Sequence, residues 1–185
     1  MAAIFNWCED NGLSVLSPPR GTTRSQANNP PVDCSWKATD DAKTTTSGTS
    51  YVSASIRAGS NSYTKYLYGQ FTGAYHQISN CYWSAHVNPE PLPADMFLKG
   101  TVTSLYKTPS TNIEPSLTTD FTDVVPINNG LPVMLSQTGP ESTSKPTLES
   151  GGGFTQYLVT QLQTTSECLP GDLDKVTLMI VFDEN

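Results

Sequence analysis

Lys175-Val176-Thr177-Leu178-Met179-Ile180-Val181-Phe182 is the stretch that decides the fold class. Its apolar residues recur at period two, which is the spacing of a β-strand. One face carries Val176, Leu178, Ile180 and Phe182, whose burial is worth roughly 6–12 kcal/mol before entropy costs. The other face is also mostly apolar. A strand that is apolar on both faces is typical of a sheet interior, so we expect this strand to be covered on both sides.

A second run, Phe154 to Gln163, lies just before it and is also predicted to be a strand. A continuous strand would place Phe154, Leu158 and Leu162 on one face, with Tyr157 and Val159 on the other. The first three residues also have helical spacing, but the Thr, Val and Tyr content favours a strand. Pro170-Gly171-Asp172 is a strong turn signal, so we expect a turn between the two runs.

Further short strands are predicted along the chain, separated by turn signals rich in Gly, Pro and Asn. Tyr66, Tyr68 and Gln70 should share one strand face, opposite Lys65, Leu67 and Phe71. In the run from Met96 to Lys107, one strand face should be solvated. The other face should carry Leu98, Gly100, Val102, Ser104 and Tyr106. The other predicted strands are 32–36, 51–56, 81–87, 124–127 and 131–136, with a hairpin at Asn128-Asn129-Gly130. Together these features predict an all-β fold, a single-domain antiparallel β-sandwich or jelly roll with long loops.

Residues 1–31 are predicted to be an extended N-terminal arm, and residues 32–185 the β-sandwich domain. The arm is inferred from proline-rich breaks at Ser17-Pro18-Pro19 and Asn29-Pro30-Pro31. Two interpretations are open: a long surface loop, or an arm that binds a neighbouring subunit. If it is an arm, its deletion should abolish partner binding and leave the sandwich folded.

Composition excludes several classes of function. The 185-residue chain carries a net charge of −7, and only 15% of its residues are charged. A nucleic-acid-binding protein needs a basic face, and contact with anionic membranes is disfavoured for the same reason. The amino terminus has no signal-peptide pattern, so we expect synthesis in the cytosol. There the cysteines Cys8, Cys34, Cys81 and Cys168 are expected to be mostly free thiols, although a disulfide stays open.

No residue set points to catalysis, a cofactor or a metal. His76, Cys81 and His86 have regular spacing, but on a strand Cys81 would face away from both histidines. The carboxylate pairs Asp120 with Asp123 and Glu90 with Asp95 lie in predicted polar loops, where solvated carboxylates are ordinary. Gly151-Gly152-Gly153 lacks the lysine of a phosphate-binding loop. We therefore predict no enzymatic activity, no cofactor, and no catalytic or metal site residue.

Aromatic residues form the remaining candidate site. Exposed aromatics stack on sugar rings, but aromatics are also ordinary buried residues of strands. Both interpretations are open for one group of six residues: Tyr63, Tyr66, Tyr68, Tyr75, Tyr82 and Trp83.

Three stretches resemble virion structural proteins of tailed bacteriophages. They are Ile56-Arg57-Ala58-Gly59-Ser60-Asn61-Ser62-Tyr63-Thr64-Lys65-Tyr66, then Gly69-Gln70-Phe71-Thr72-Gly73 with Ile78-Ser79-Asn80 and Trp83, and the C-terminal run Gly153 to Thr165 with Pro170-Gly171 and Phe182-Asp183-Glu184. The resemblance covers roughly residues 56–185 and is one of pattern, without a catalytic signature.

Among these proteins, the chain is most similar to capsid decoration (cement) proteins. The resemblance implies a homo-oligomer, with a trimer favoured, that binds the major capsid protein on the capsid exterior and stabilises the shell. It implies a β-rich fold and no cofactor, and the acidic composition already argues against nucleic-acid and membrane partners. The alternative is a phage tail, neck or fibre component that recognises a carbohydrate receptor through exposed tyrosines.

Overall fold

The computed structural model describes residues 2–15, 19–27, 36–40, 55–88, 92–121, 130–169 and 175–185. These residues form an all-β, sandwich-like domain of antiparallel sheets, and they contain no α-helix. The strands are β1 (Ala3–Asn11), β2 (Thr23–Ala27), β3 (Lys65–Gly73), β4 (Gln77–Asn88), β5 (Met96–Thr103), β6 (Thr119–Asp120), β7 (Leu131–Pro132), β8 (Leu135–Ser136), β9 (Leu148–Glu149), β10 (Gly153–Thr155), β11 (Tyr157–Thr164) and β12 (Lys175–Glu184). A short 3-10 turn spans Pro140–Ser142.

The larger sheet is curled and has eight strands within the described residues. Its main order is β2-β1-β3-β11-β5-β6, and β10 joins β3 to β8. The smaller sheet has the order β12-β4-β7, with β9 also paired to β4. Alternation in β5 is as predicted, since Leu98 and Gly100 are buried while Lys99 and Thr101 are partly exposed.

The main core lies between the two sheets, because each contributes one apolar face to it. The predicted alternation in β3 is confirmed: Leu67 and Phe71 point into this core, whereas Tyr66 and Tyr68 belong to a second cluster. The inter-sheet core also contains these buried residues: Ile78, Cys81, Trp83, Leu98, Phe121, Leu135, Leu148, Leu158 and Leu162.

A second cluster covers the opposite face of the large sheet and is dominated by tyrosine rings. Tyr157 packs edge-on against Tyr66 and Tyr68, with ring centroids 5.6 Å apart in both pairs. We call this group the tyrosine cluster: Cys8, Tyr66, Tyr68, Tyr106, Leu117, Tyr157 and Val159. The large sheet is therefore buried on both faces by its own chain.

The C-terminal strands differ from the prediction. β11 lies in the large sheet and β12 in the small one, so the two strands do not pair with each other. β12 pairs with β4 and stands at the end of its sheet within the described residues, rather than in the interior. Leu178, Ile180 and Phe182 pack against the core and stay partly exposed. Apolarity on both faces of β12 therefore did not indicate a central strand.

Two aromatic residues also lie on the face opposite to the predicted one. The strand predicted from Phe154 to Gln163 is interrupted at Gln156, and this break places Phe154 against Tyr68 rather than beside Leu158. β5 ends at Thr103, so Tyr106 is free of the alternation and joins the tyrosine cluster. In both cases an irregular backbone segment changes the sheet face to which the side chains point, whereas the sequence pattern assumed a continuous strand.

Two stretches of the predicted N-terminal arm, β1 and β2, are paired strands of the large sheet. β1 pairs with β2 on one side and with β3 on the other, from Ala3 opposite Gly73 to Asp10 opposite Tyr66. The physical reason is burial, since Cys8 and Asp10 are 4% and 0% exposed. The predicted strands 32–36 and 124–127, the hairpin at 128–130, most of strand 51–56 and the turn at 170–172 lie outside the described residues.

Candidate functional site

Of the three residues with metal-like spacing, Cys81 and His76 lie in different surroundings. Cys81 is buried in the inter-sheet core, where burial, with a smaller effect of the Asp183 charge, raises the pKa of its thiol to about 12. His76 is exposed before β4, and His86 lies on β4 with its backbone opposite Thr177. No group of three His, Cys, Asp or Glu residues in the described part of the chain is arranged to hold a metal ion. Cys81 and Cys168 are free thiols, and Cys34 lies outside the described residues.

The two carboxylates that can be placed from the predicted pairs make structural contacts. Asp120 in β6 forms an ion pair with Lys99 in β5, which joins neighbouring strands. Asp95 accepts a hydrogen bond from Thr165 Oγ1 at 3.1 Å. Glu90 and Asp123, their suggested partners, lie outside the described residues. Gly151 and Gly152 form the turn before β10 with φ angles of 113° and 90°, which is a backbone role suited to glycine.

Most of the candidate aromatics are inside the protein. Tyr66, Tyr68 and Trp83 are at most 3% exposed, and Tyr75 is 7% exposed. A side chain in a packed core cannot offer its ring face to a sugar. Tyr82, at 36%, is the most exposed residue of the group.

A polar cluster that sequence reasoning missed lies where β1 and β3 meet. The ammonium Nζ of Lys65 donates to Glu9 Oε1 at 2.7 Å, and Asn11 Nδ2 donates to the same oxygen at 2.8 Å. Asn11 Nδ2 also donates to Asp40 Oδ1 at 3.2 Å, while the second Asp40 oxygen accepts from the Gly12 amide at 2.8 Å. We call Glu9, Asn11, Lys65 and Asp40 the β1–β3 polar cluster.

Three side chains of the β1–β3 polar cluster are buried. Lys65 is 1% exposed and Asn11 is 3% exposed, and the Glu9 side chain is 8% exposed. Glu9 lies opposite Leu67, on the sheet face that packs into the inter-sheet core. A buried ion pair needs close geometry and further hydrogen bonds to offset its desolvation. One atom lacks such a bond: Asn11 Oδ1 is buried and has no hydrogen-bond partner.

The sequence did contain a signal for this cluster. Lys65 begins a run of aromatic and apolar residues that alternate as a buried strand. A lysine in such a strand is almost never fully buried unless an acid pairs with it. The run Glu9-Asp10-Asn11 offered acids, but only the pairing of β1 with β3 identifies which of them meets Lys65.

Asp10 points to the other face of the same strand and stabilises the tyrosine cluster. Tyr157 donates its hydroxyl to Asp10 Oδ2 at 2.7 Å, and Tyr106 donates to the Gly12 carbonyl at 2.7 Å. Burial raises the pKa of Tyr66 to about 12, and Glu114 adds to that rise while a hydrogen bond at Lys107 opposes it. Burial and the nearby acids, Asp40 first, also raise the pKa of Tyr106. Both phenols therefore stay neutral at ordinary pH, and Tyr106 acts as a hydrogen-bond donor.

Three exposed apolar residues lie on the two loops that follow β1 and β5. The loops are joined by hydrogen bonds from the Ser14 amide to Thr108 Oγ1 at 2.9 Å and from Ser14 Oγ to the Tyr106 carbonyl at 3.4 Å. Beside these bonds, Leu13 is 63% exposed, Leu105 is 61% exposed and Val15 is 38% exposed. We call these three residues the apolar loop surface. Single exposed apolar residues are ordinary, but a group of them on tethered loops indicates a contact surface.

A polar cleft of about 390 Å³ lies at the turn around Gly59. Its walls include Ile56, Arg57, Asn61 and Thr111. Thr164 Oγ1 donates to the Ser60 carbonyl at 2.8 Å, which holds the turn in place. The cleft has one charged side chain and no convergent set of polar groups among the described residues, so it does not indicate a specific ligand.

Comparison with family models, with curated proteins and with solved structures found no match to this chain. In the described residues, no helix has the length and apolarity that a membrane span requires.

Proposed function

We propose that this protein is a non-enzymatic virion component of a tailed bacteriophage, a capsid decoration (cement) protein that binds the outside of the major capsid shell. The resemblance of residues 56–185 to phage structural proteins motivates this proposal. The observation that carries it is the burial of the large sheet on both faces, which places Tyr66, Tyr68, Tyr106 and Tyr157 inside the protein. The chemistry left outside is an acidic polar surface with the apolar loop surface on it, which suits contact with another protein.

The mechanism of stabilisation is mass action. A protein that binds only the assembled shell raises its stability by RT ln(1 + [L]/Kd), about 2.7 kcal/mol per site at a hundredfold excess over Kd. We propose that the protein is a homo-oligomer, with a trimer favoured, and that the apolar loop surface contacts the capsid. Because β1 is paired on both sides within the large sheet, we propose that the loop after β1, which carries Leu13 and Val15, makes the capsid contact in place of a separate arm.

The copy number of this chain in purified virions tests the proposal directly. Quantitative mass spectrometry should give a number comparable with that of the major capsid protein. A number that fits one ring or a few fibres would instead place the protein in the neck or tail. Absence from the particle would refute both locations.

The contact surface is tested separately with the double variant Leu13→Ser and Leu105→Ser. Removing two exposed apolar anchors should weaken binding to purified shells at least about tenfold, since each tenfold corresponds to about 1.4 kcal/mol. Leu169→Ser is the matched control, because Leu169 is 81% exposed in a different loop. Equal binding of the double variant and the control would rule out the apolar loop surface.

The carbohydrate-binding alternative loses support from the burial of Tyr66, Tyr68, Tyr75 and Trp83. Saturable quenching of tryptophan fluorescence by a glycan would restore it.

A further inference from the structure

Glu9 Oε1 lies between two nitrogen atoms that could react with each other. Lys65 Nζ donates to it at 2.7 Å and Asn11 Nδ2 donates to it at 2.8 Å. Because both nitrogens bond one oxygen, they can be no further apart than the sum of these two distances. One is an amine, and the other belongs to a carboxamide whose carbonyl carbon is electrophilic. A carboxylate that touches both can take a proton from the first and return it to the second.

From this geometry we propose that Lys65 and Asn11 form an intramolecular isopeptide bond, with Glu9 as the proton carrier. The nucleophile is the neutral Lys65 amine, generated when Nζ passes one proton along its hydrogen bond to Glu9. Its attack on Asn11 Cγ forms the Nζ–Cγ bond, and the Cγ–Nδ2 bond then breaks. Nζ loses two protons in all, and both end on the departing nitrogen, which leaves as ammonium. Glu9 ends as the carboxylate it began as, and no oxidant or reductant is needed.

The placement of the groups in the sheet favours this reaction. Proton transfer from Nζ to Oε1 turns the ammonium into a neutral amine, which is the form that can attack the Asn11 carboxamide. Lys65 and Asn11 belong to paired neighbouring strands, Asn11 being one residue beyond the Asp10–Tyr66 pair. Because the sheet holds the two groups next to each other, the step is effectively unimolecular. This placement gives the high effective concentration of intramolecular reactions.

The amide of Asn11 is held on one side only. Its nitrogen is fixed by Glu9 and by Asp40 Oδ1 at 3.2 Å, and this pattern also defines which end of the side chain is nitrogen. Its oxygen is buried without a partner. A buried polar atom without a partner calls for an explanation, and a reactive amide supplies one.

Mass spectrometry of the full-length protein, denatured after purification, tests this proposal. The intact mass should lie below the sequence mass by one ammonia, about 17 Da. Trypsin should yield peptide 1–20 joined to peptide 58–99, because a modified Lys65 is no longer a cleavage site. Lys65→Arg keeps the positive charge but should show neither the mass loss nor the joined peptides. Lys99→Arg, at the exposed ion pair with Asp120, is the matched control and should keep both.

Three outcomes would overturn the proposal. One is the unreduced sequence mass for the wild-type protein. Another is a loss of the same size confined to linear peptides, which identifies a succinimide at an Asn-Gly pair such as Asn11-Gly12. The third is a loss of one water, about 18 Da, with Lys65 joined to Glu9. That result would mean that Glu9, and not Asn11, is the electrophile. The wild-type peptide map decides among these results even if Lys65→Arg fails to fold.

Discussion

At the scale of single residues, close approach explains positions that the sequence left ambiguous. Gly69 lies inside β3, where a glycine indicates a bulge or a bend. The pairing of β1 with β3 nevertheless continues through it, with Trp7 opposite Gly69. A Cβ at Gly69 would lie 2.2 Å from the Phe5 ring, and one at Gly100 would lie 2.2 Å from the buried Phe121 ring. These glycines make room for aromatic rings.

The Tyr157 hydroxyl gives a prediction at the same scale. Tyr157→Phe removes the donor to Asp10, a carboxylate with 0% exposure. We expect the free energy of unfolding to fall by about 1–3 kcal/mol, because a buried charged acceptor loses a hydrogen bond. Urea unfolding measures this change. Tyr82→Phe is the control and should change stability by less than about 0.5 kcal/mol, since Tyr82 is on the surface. Equal effects of the two variants would show that the Asp10 contact is not stabilising.

At the scale of elements, the position of β1 changes what an N-terminal deletion should do. β1 lies between β2 and β3 and supplies Glu9 to Lys65 and Asp10 to Tyr157. A proline-rich sequence on its C-terminal side suggested a detachable arm, but local composition does not report long-range pairing. The same limit explains β12, which looks central in sequence and lies at the end of its sheet.

Deletion of residues 1–11 should therefore unfold the domain instead of only abolishing partner binding. It removes the partner of β3 and leaves Lys65 as a buried charge without Glu9, which costs about 3–5 kcal/mol by itself. Circular dichroism and thermal unfolding measure the result. Deletion of residues 1 and 2 is the control and should leave the fold intact. A cooperative unfolding transition in the larger deletion would show that β1 is dispensable.

At the scale of the whole molecule, the tyrosine cluster determines the response to alkali. The pKa of Tyr66 is raised from 10.0 to about 12, and that of Tyr106 is raised further, chiefly by burial. Above pH 10 the unfolded chain releases phenolic protons that the folded protein retains. The folded state then binds more protons than the unfolded state, so stability must fall as pH rises.

We therefore expect the free energy of unfolding to be insensitive to these two groups below about pH 9 and to decrease between about pH 10 and 12. Urea midpoints measured against pH, with tyrosinate absorbance recorded in parallel, check this expectation. Tyr66→Phe should reduce the slope in that window. A slope unchanged by the substitution would mean that Tyr66 titrates alike in the folded and unfolded states.

The sequence by itself determined the all-β class, the antiparallel alternation in β3 and β5, and the strand character of residues 157–164. These follow from period-two patterns, which depend only on how successive side chains point from a strand. It determined much less of the site. The metal-like histidines and the paired carboxylates were conspicuous in the sequence, yet no group of three His, Cys, Asp or Glu among the described residues is arranged to hold a metal ion.

Only the tertiary structure decided which strands pair, which sheet each joins and which acids meet Lys65. Glu9 and Lys65 are 56 residues apart in the chain and 2.7 Å apart in space. No local pattern encodes that contact, because strand pairing depends on how all faces of the chain can be buried at once. The strand break at Gln156 and the end of β5 at Thr103 likewise change the face to which nearby side chains point. The alternating pattern in the sequence continues through both positions and does not reveal them. The β1–β3 polar cluster therefore became visible only after the sheet was assembled.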